Sequence, residues 1–194
     1  MQIKRLFDAD SFKGTEGYLD SQKKYEVIRT LIYFAISISL FIAGLVTTKT
    51  KVNLLTIIAV LGCLPASKSA VQMIMYLRYR SLSKEACEVI GRHTEGLTAL
   101  YDLVFTSYDK NYNVGHLVIK GNTLAGFTED KKFAEKAFYT HIDQILKKDR
   151  ITGVSVKIFS DRKKYTERLW QLRELEADES CTESIIRTLK SVSL

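Results

Sequence analysis

Residues 30–48, TLIYFAISISLFIAGLVTT, carry no charged side chain. Nineteen residues of α-helix rise about 28 Å, close to the ~30 Å hydrocarbon core of a bilayer. A signal peptide would start near residue 1 with a basic segment and end at a small-residue cleavage site. Here 29 polar, partly acidic residues come first, and Thr47-Thr48-Lys49 makes a poor cleavage site. A core helix this long with no polar face is out of place in a small soluble domain. The stretch therefore predicts a transmembrane helix.

A second apolar run, residues 52–77, is interrupted once by Lys68 and holds the only proline, Pro65. Matched in length to the first, it spans about 52–70, with the helix continuing to 80. That register puts Lys68 near the headgroups, where its stem can snorkel; a buried intramembrane charge is the alternative. Pro65 is expected to kink the helix. The link Lys49-Thr50-Lys51 is short enough only for the tip of an antiparallel hairpin. Lys23, Lys24, Arg29, Arg78, Arg80 and Lys84 flank the hairpin ends, against Lys49 and Lys51 at the tip. Six basic residues against two place both termini in the cytoplasm of a multi-pass plasma-membrane protein. Tyr25, Tyr33, Tyr76 and Tyr79 then fall at the same interface. Ala35, Ser39 and Ala43 on the first helix, and Gly62, Ala66 and Ala70 on the second, are small residues at four-residue spacing. Such stripes are expected to let the helices approach closely. A homo-oligomer would need a second face of this kind and stays open.

The chain has 194 residues, with 29 Lys and Arg against 22 Asp and Glu, a net charge of +7. Beside a membrane hairpin, that excess points first to the bilayer and its anionic headgroups. Nucleic acid or a nucleotide stays open as a partner. Cys63, Cys87 and Cys181 form no CxxC pair and have no histidine at ligand spacing. This fits a reducing compartment and gives no zinc site. No phosphate-binding loop, GxGxxG or kinase signature is present, and no cofactor or metal is expected.

The hairpin, residues 30–77, separates a cytosolic N-terminal segment, residues 1–29, from a cytosolic α/β domain over 83–177. In the first segment Phe7, Phe12 and Tyr18 are expected to dock on the domain or the bilayer surface, and Asp20 or Ser21 to cap the first helix. In the domain, Ser83 caps a helix whose Ala86, Val89, Ile90, His93 and Leu97 share one face. LYDLVFTS (100–107), VGHLVIK (114–120) and 123–127 read as three strands, the first two joined by a turn over 108–111 and the last two by Gly121-Asn122. Thr128 is expected to cap the next helix, which buries Phe133, Ala137, Phe138, His141, Ile142 and Ile145. VSVKIF (154–159) is a fourth strand. Asp161 caps a helix holding Tyr165, Leu169, Leu172 and Leu175. Residues 178–194 read as an amphipathic tail with Ile185, Ile186 and Leu189. The fold class is an α-helical transmembrane hairpin plus an α/β domain, α-β-β-β-α-β-α, with a mixed sheet.

The element order over residues 83–177 resembles the core of the restriction-endonuclease-like superfamily. That resemblance implies a metal-binding Asp on the second strand and a Glu-x-Lys on the third. This chain departs from the pattern: its second strand has His116 and Lys120, and its acids are Asp102 on the first strand and Glu129 beyond the third. The membrane part, LLTIIAVLGCLPASKSAVQMIMYLR, resembles uncharacterised two-helix proteins of low-GC Gram-positive bacteria. Some of those are labelled "O-linked GlcNAc transferase-like", but this chain has no room for a nucleotide-sugar domain.

The candidate catalytic residues are accordingly Asp102, His116, Lys120 and Glu129. A second candidate is Arg162, Lys163 and Lys164, three cations in the first turn of a helix. Cations there oppose the helix dipole, whose N-terminus already favours anions, so the run suggests a ligand-binding site for an anion. The bland alternative is a solvated surface run beside Asp161 and Glu167. His93 and His141 lie on apolar faces and read as core histidines. The expected function is a membrane-anchored module that binds a partner protein or an anionic ligand at the inner surface. A membrane-tethered, metal-dependent nuclease-like enzyme and an oligomeric effector gated by ligand binding are the alternatives.

Overall fold

The structure is a computed structural model that describes residues 12–49 and 53–194. The expectations for Phe7 and for Thr50 and Lys51 at the hairpin tip fall outside the described residues. The chain forms two compact units: Leu19–Arg80 in one, Ser81–Leu194 with residues 12–18 in the other.

The first unit contains α1, Tyr18–Thr48, and α2, Leu54–Arg78. Helix α1 starts before the expected cap. Tyr18 already donates its N–H to Thr15 O at 3.2 Å, and Asp20 sits in the first turn, paired with Lys23 at 2.7 Å. Asn53 caps α2 by accepting the Thr56 N–H at 2.8 Å. The helix runs unbroken through Pro65 and ends at Arg78. Both helices are long and apolar enough to cross a membrane, and only 17% of each apolar window is buried. A core helix of a soluble protein would hide most of that surface.

The helices pack antiparallel along a narrow seam of small and polar groups. The Thr30 and Ser69 hydroxyls are 2.8 Å apart. A Cβ on Gly62 would lie 2.8 Å from Ser37 Oγ, and one on Gly44 would lie 3.0 Å from Leu55 Cβ. Gly62 and Ala66 thus sit where close approach was expected. On α1 the expectation fails, because Ala35, Ser39 and Ala43 are exposed. The seam uses Thr30, Ser37 and Gly44 instead. Seven residues make two helical turns less about 20°, so this heptad spacing runs almost straight along the helix, whereas four-residue spacing drifts around it.

In the second unit β1 (Thr98–Thr106), β2 (Asn111–Lys120) and β3 (Thr123–Phe127) form an antiparallel meander, and β4 (Ser155–Phe159) joins β3 in parallel. The sheet order is β1-β2-β3-β4. Helices α3 (Lys84–Gly91), α4 (Glu135–Lys148), α5 (Arg162–Glu174) and α6 (Thr182–Val192) cover it. Helices α4 and α6 bury Phe138, Ile142, Ile185 and Leu189 on one face. Helices α3 and α5 bury Ala86, Ile90, Tyr165, Leu169 and Leu172 on the other. The mixed sheet and the α-β-β-β-α-β-α order are as expected, and the amphipathic segment with Ile185, Ile186 and Leu189 forms α6.

Local readings need correction at both ends of this order. Helix α3 stops at Gly91, so His93 and Leu97 lie beyond it. Thr128 does not cap α4: its hydroxyl donates to Asn113 O at 2.7 Å and accepts the Asp130 N–H at 3.1 Å. The chain spends residues 128–134 in this turn, and α4 begins after Ala134 with no side-chain cap. Strand β2 starts at Asn111, inside the expected turn.

Strict alternation also breaks. The core beneath α4 and α6 takes Leu100, Leu103 and Phe105 from β1, and Tyr112, Val114, Leu117 and Ile119 from β2. Both strands therefore change parity between Leu100 and Leu103 and between Val114 and Leu117. The pairing register stays constant across the change, from Leu100↔Leu117 to Leu103↔Val114. A shift in one strand alone would put its apolar set on the wrong face. Asp102 at φ 54 absorbs the shift on β1.

Ser37 and Gly62 give a direct check of the hairpin. A Cβ on Gly62 would sit 3.7 Å from Ser37 Cβ, within the range that a disulfide needs. In a Cys63→Ala background, Ser37→Cys with Gly62→Cys is expected to oxidise to an intramolecular disulfide, read as a mobility change on non-reducing gels. Ala35→Cys with Gly62→Cys is expected to stay reduced.

Candidate functional site

The four candidate catalytic residues do not share a site. Asp102 Oδ1 accepts the Leu82 N–H at 2.9 Å. Glu129 accepts the Ser83 N–H at 3.2 Å and the Ser83 hydroxyl. Ser83 in turn caps α3 by accepting the Ala86 N–H at 3.3 Å. The two acids thus clamp one turn, residues 82–83, against the sheet. Gly115, opposite Asp102, completes this clamp, because a Cβ there would lie 2.8 Å from Leu82 Cδ1. Lys120 pairs with Glu179 at 2.6 Å. Among the described residues no three His, Cys, Asp or Glu side chains are grouped to hold a metal.

His116 is fully buried on the α3/α5 side of the sheet. Its Nδ1 lies 2.7 Å from the Tyr165 hydroxyl, and that hydroxyl donates to Ala125 O at 3.3 Å. Both contacts are satisfied when His116 Nδ1–H donates to Tyr165. His116 Nε2 then points a lone pair into the interior with no hydrogen-bond partner. Tyr101 meets the imidazole edge to face at 4.5 Å between centroids. Burial drives the His116 pKa down to about 3. The ring is neutral at physiological pH and packed as a core group. Burial also pushes the Cys87 thiol up to about 12, helped by a hydrogen bond to Glu16 and by the charges of Glu16, Asp102 and Glu88. A thiol held protonated in this way is not a nucleophile at neutral pH.

The basic run on α5 is dispersed rather than convergent. Asp161 caps the helix and accepts the N–H groups of Lys163 and Lys164 at 2.9 and 3.4 Å. Those two amides are therefore already occupied by a carboxylate. Arg162 is paired with Glu85 at 2.9 Å. Lys164 turns toward a groove of about 470 Å³ that it shares with Lys157, Phe159 and Arg168. His93 accepts the Trp170 indole N–H at Nδ1, at 3.2 Å, so it is a half-exposed partner of α5 rather than a core group.

A polar cluster inside the helical unit falls outside every candidate site expected from the sequence. Glu26 is 2% exposed and takes a salt bridge from Arg29. Arg29 also donates to Gln72 Oε1 at 2.6 Å and to Ser69 Oγ at 3.4 Å, and Gln22 donates to Glu26 at 3.1 Å. These residues and the Thr30–Ser69 pair tie α1 to α2 below the apolar span. The signal was present as Gln22, Glu26 and Arg29 at helical spacing facing Ser69 and Gln72. Lys68 is exposed beside this cluster, in a cavity of about 370 Å³ with Arg29, Tyr33 and Pro65.

No family model, curated protein or solved structure matches the chain.

The buried imidazole carries a measurable consequence. Between about pH 3 and the ordinary histidine value, 6.5, the unfolded chain binds a proton that the folded chain refuses. His116 therefore costs nothing above that window, and its presence erodes stability as pH falls through it. His116→Gln is expected to flatten the stability profile there by up to about 1.4 kcal/mol per pH unit. Denaturant unfolding of wild type and variant between pH 4 and 7 reads the difference. Equal slopes would show that His116 titrates normally.

Proposed function

We propose that the chain is a membrane-anchored binding module. The two helices hold the α/β unit at the inner face of the plasma membrane, where it engages a partner protein or an anionic ligand. The observation that supports this most is the outward display of large apolar side chains along both helices. Leu31, Ile38, Val46, Leu54, Leu61 and Leu64 are each more than half exposed. Lipid matches that surface and water does not. The polar cluster around Glu26 and Arg29 lies at the basic end of the pair, which the charge rule assigns to the cytoplasm.

The positions of the remaining groups favour binding over catalysis. The acids of the sheet hold the turn before α3, the buried histidine is neutral, and the buried thiol is protonated. On the α/β unit Lys157, Lys164 and Arg168 gather around one groove, with Glu167 the acid among them.

Orientation is testable by labelling. Lys49→Cys in a Cys63→Ala background is expected to react with a membrane-impermeant maleimide in intact cells. Cys181, exposed on the α/β unit, is expected to react only after permeabilisation. The reverse pattern would invert the proposed topology. Labelling of both in intact cells would place the α/β unit outside.

A further inference from the structure

The loop after α4 and the start of α6 line a half-open cavity of about 600 Å³, with Asp149, Arg150, Thr152, Cys181, Ser184 and Arg187 among its walls. Among the described residues neither Arg150 nor Arg187 forms an ion pair, and neither guanidinium has a hydrogen-bond partner. The one acid in the lining, Asp149, is engaged by the Thr188 hydroxyl. Two exposed arginines from separate elements thus line one hollow with a single carboxylate, an excess of one positive charge.

The rest of the lining suits the same kind of guest. Cys181, at the N-cap of α6, gives that helix no side-chain cap bond. No carboxylate occupies the amides there, in contrast to Asp161 on α5. Ser184 in the first turn and Thr152 across the cavity add hydroxyl donors. Arg150 adopts φ 60 at the end of α4, where its N–H bonds Lys147 O at 3.0 Å and the next N–H returns to Leu146 O at 2.9 Å. Glycine is the usual residue at this helix-ending position, because a side chain there crowds the backbone. The arginine is not what the local backbone prefers.

We propose that this cavity binds the phosphoryl group of a small phosphorylated molecule. Arg150 and Arg187 clamp its oxygens, and the Ser184 hydroxyl and the amides of Glu183 and Ser184 donate to them; the Thr182 N–H is already taken by Glu179 O. Guanidinium forks match phosphate oxygens two at a time, which a lysine cannot do. The volume accommodates a mononucleotide. This inference rests on the binding-module reading and gives its anionic ligand a chemical class and a place distinct from the basic run on α5.

The test uses the full chain in detergent micelles, so its outcome does not depend on membrane orientation. Equilibrium dialysis with inorganic phosphate, pyrophosphate and ADP measures affinity, and thermal unfolding reads stability. Wild type is expected to bind at least one of these. Arg187→Gln and Arg150→Gly are each expected to weaken binding at least tenfold, and Arg162→Gln to leave it within twofold. Arg150→Gly is also expected to keep or raise the ligand-free melting temperature, because glycine suits the backbone there. That separates loss of a contact from loss of fold. Binding of ADP above pyrophosphate would identify a nucleotide as the source of the phosphoryl group; pyrophosphate alone would identify a free anion. Absence of binding by wild type to all three probes, or undiminished binding by both arginine variants, would overturn the proposal while leaving the anchoring of the chain untouched.

Discussion

The polar seam between α1 and α2 is what lets two helices with apolar outer faces stay paired. Seventeen large apolar side chains among the described residues of these helices face outward. At about 1 kcal/mol each for partial exposure, their combined cost in water exceeds the 5–15 kcal/mol that typically holds a domain folded. A bilayer would remove that cost, but it would also remove the hydrophobic force that holds two helices together. Close contact and hydrogen bonds must then do so. Gly62 against Ser37, Gly44 against Leu55, and Thr30 against Ser69 supply them within the span. Glu26, Arg29 and Gln72 supply them at its end. A salt bridge as buried as this one adds specificity of register more surely than stability, because desolvating the charges offsets most of their attraction.

The α/β unit solves a different problem, that of seating the turn before α3 on a sheet. Asp102 and Glu129 accept from neighbouring residues of this turn, and Gly115 leaves room for Leu82. Asp102 tolerates its left-handed backbone better than most residues would. The paired change of parity in β1 and β2 turns Tyr101 and His116 toward α3 and α5 while returning Leu103 and Val114 to the opposite core. The two outer edges of the sheet are also covered. Leu194 donates to Val104 O on one side, and Tyr139 accepts the Ile158 N–H on the other. Both devices limit pairing with other chains.

Much of this was legible in the residues. The apolar runs, the four strands, the caps at Ser83 and Asp161 and the mixed sheet follow from periodicity and turn chemistry. What escaped depends on contacts between distant residues. The face that α1 presents to α2 is set by their mutual register, so Ala35, Ser39 and Ala43 looked as suitable as Thr30, Ser37 and Gly44. Thr128, Glu129 and Asp130 have the composition of a helix start, yet tertiary partners at Asn113 and Ser83 claim the first two. Asp102 and Glu129 resembled stray catalytic acids because their backbone donors at residues 82 and 83 are far away in sequence. The cavity of Arg150 and Arg187 joins residues 37 positions apart, and no local pattern marks either arginine.

Alkaline carbonate extraction of membranes from cells that express the full chain shows whether α1 and α2 lie in the bilayer. High pH strips peripheral proteins and leaves integral ones in the bilayer. The chain is expected to stay in the pellet and to be released only by detergent. Recovery in the carbonate supernatant would contradict this, since α1 and α2 would then need a protein surface, not lipid, to cover their outer faces.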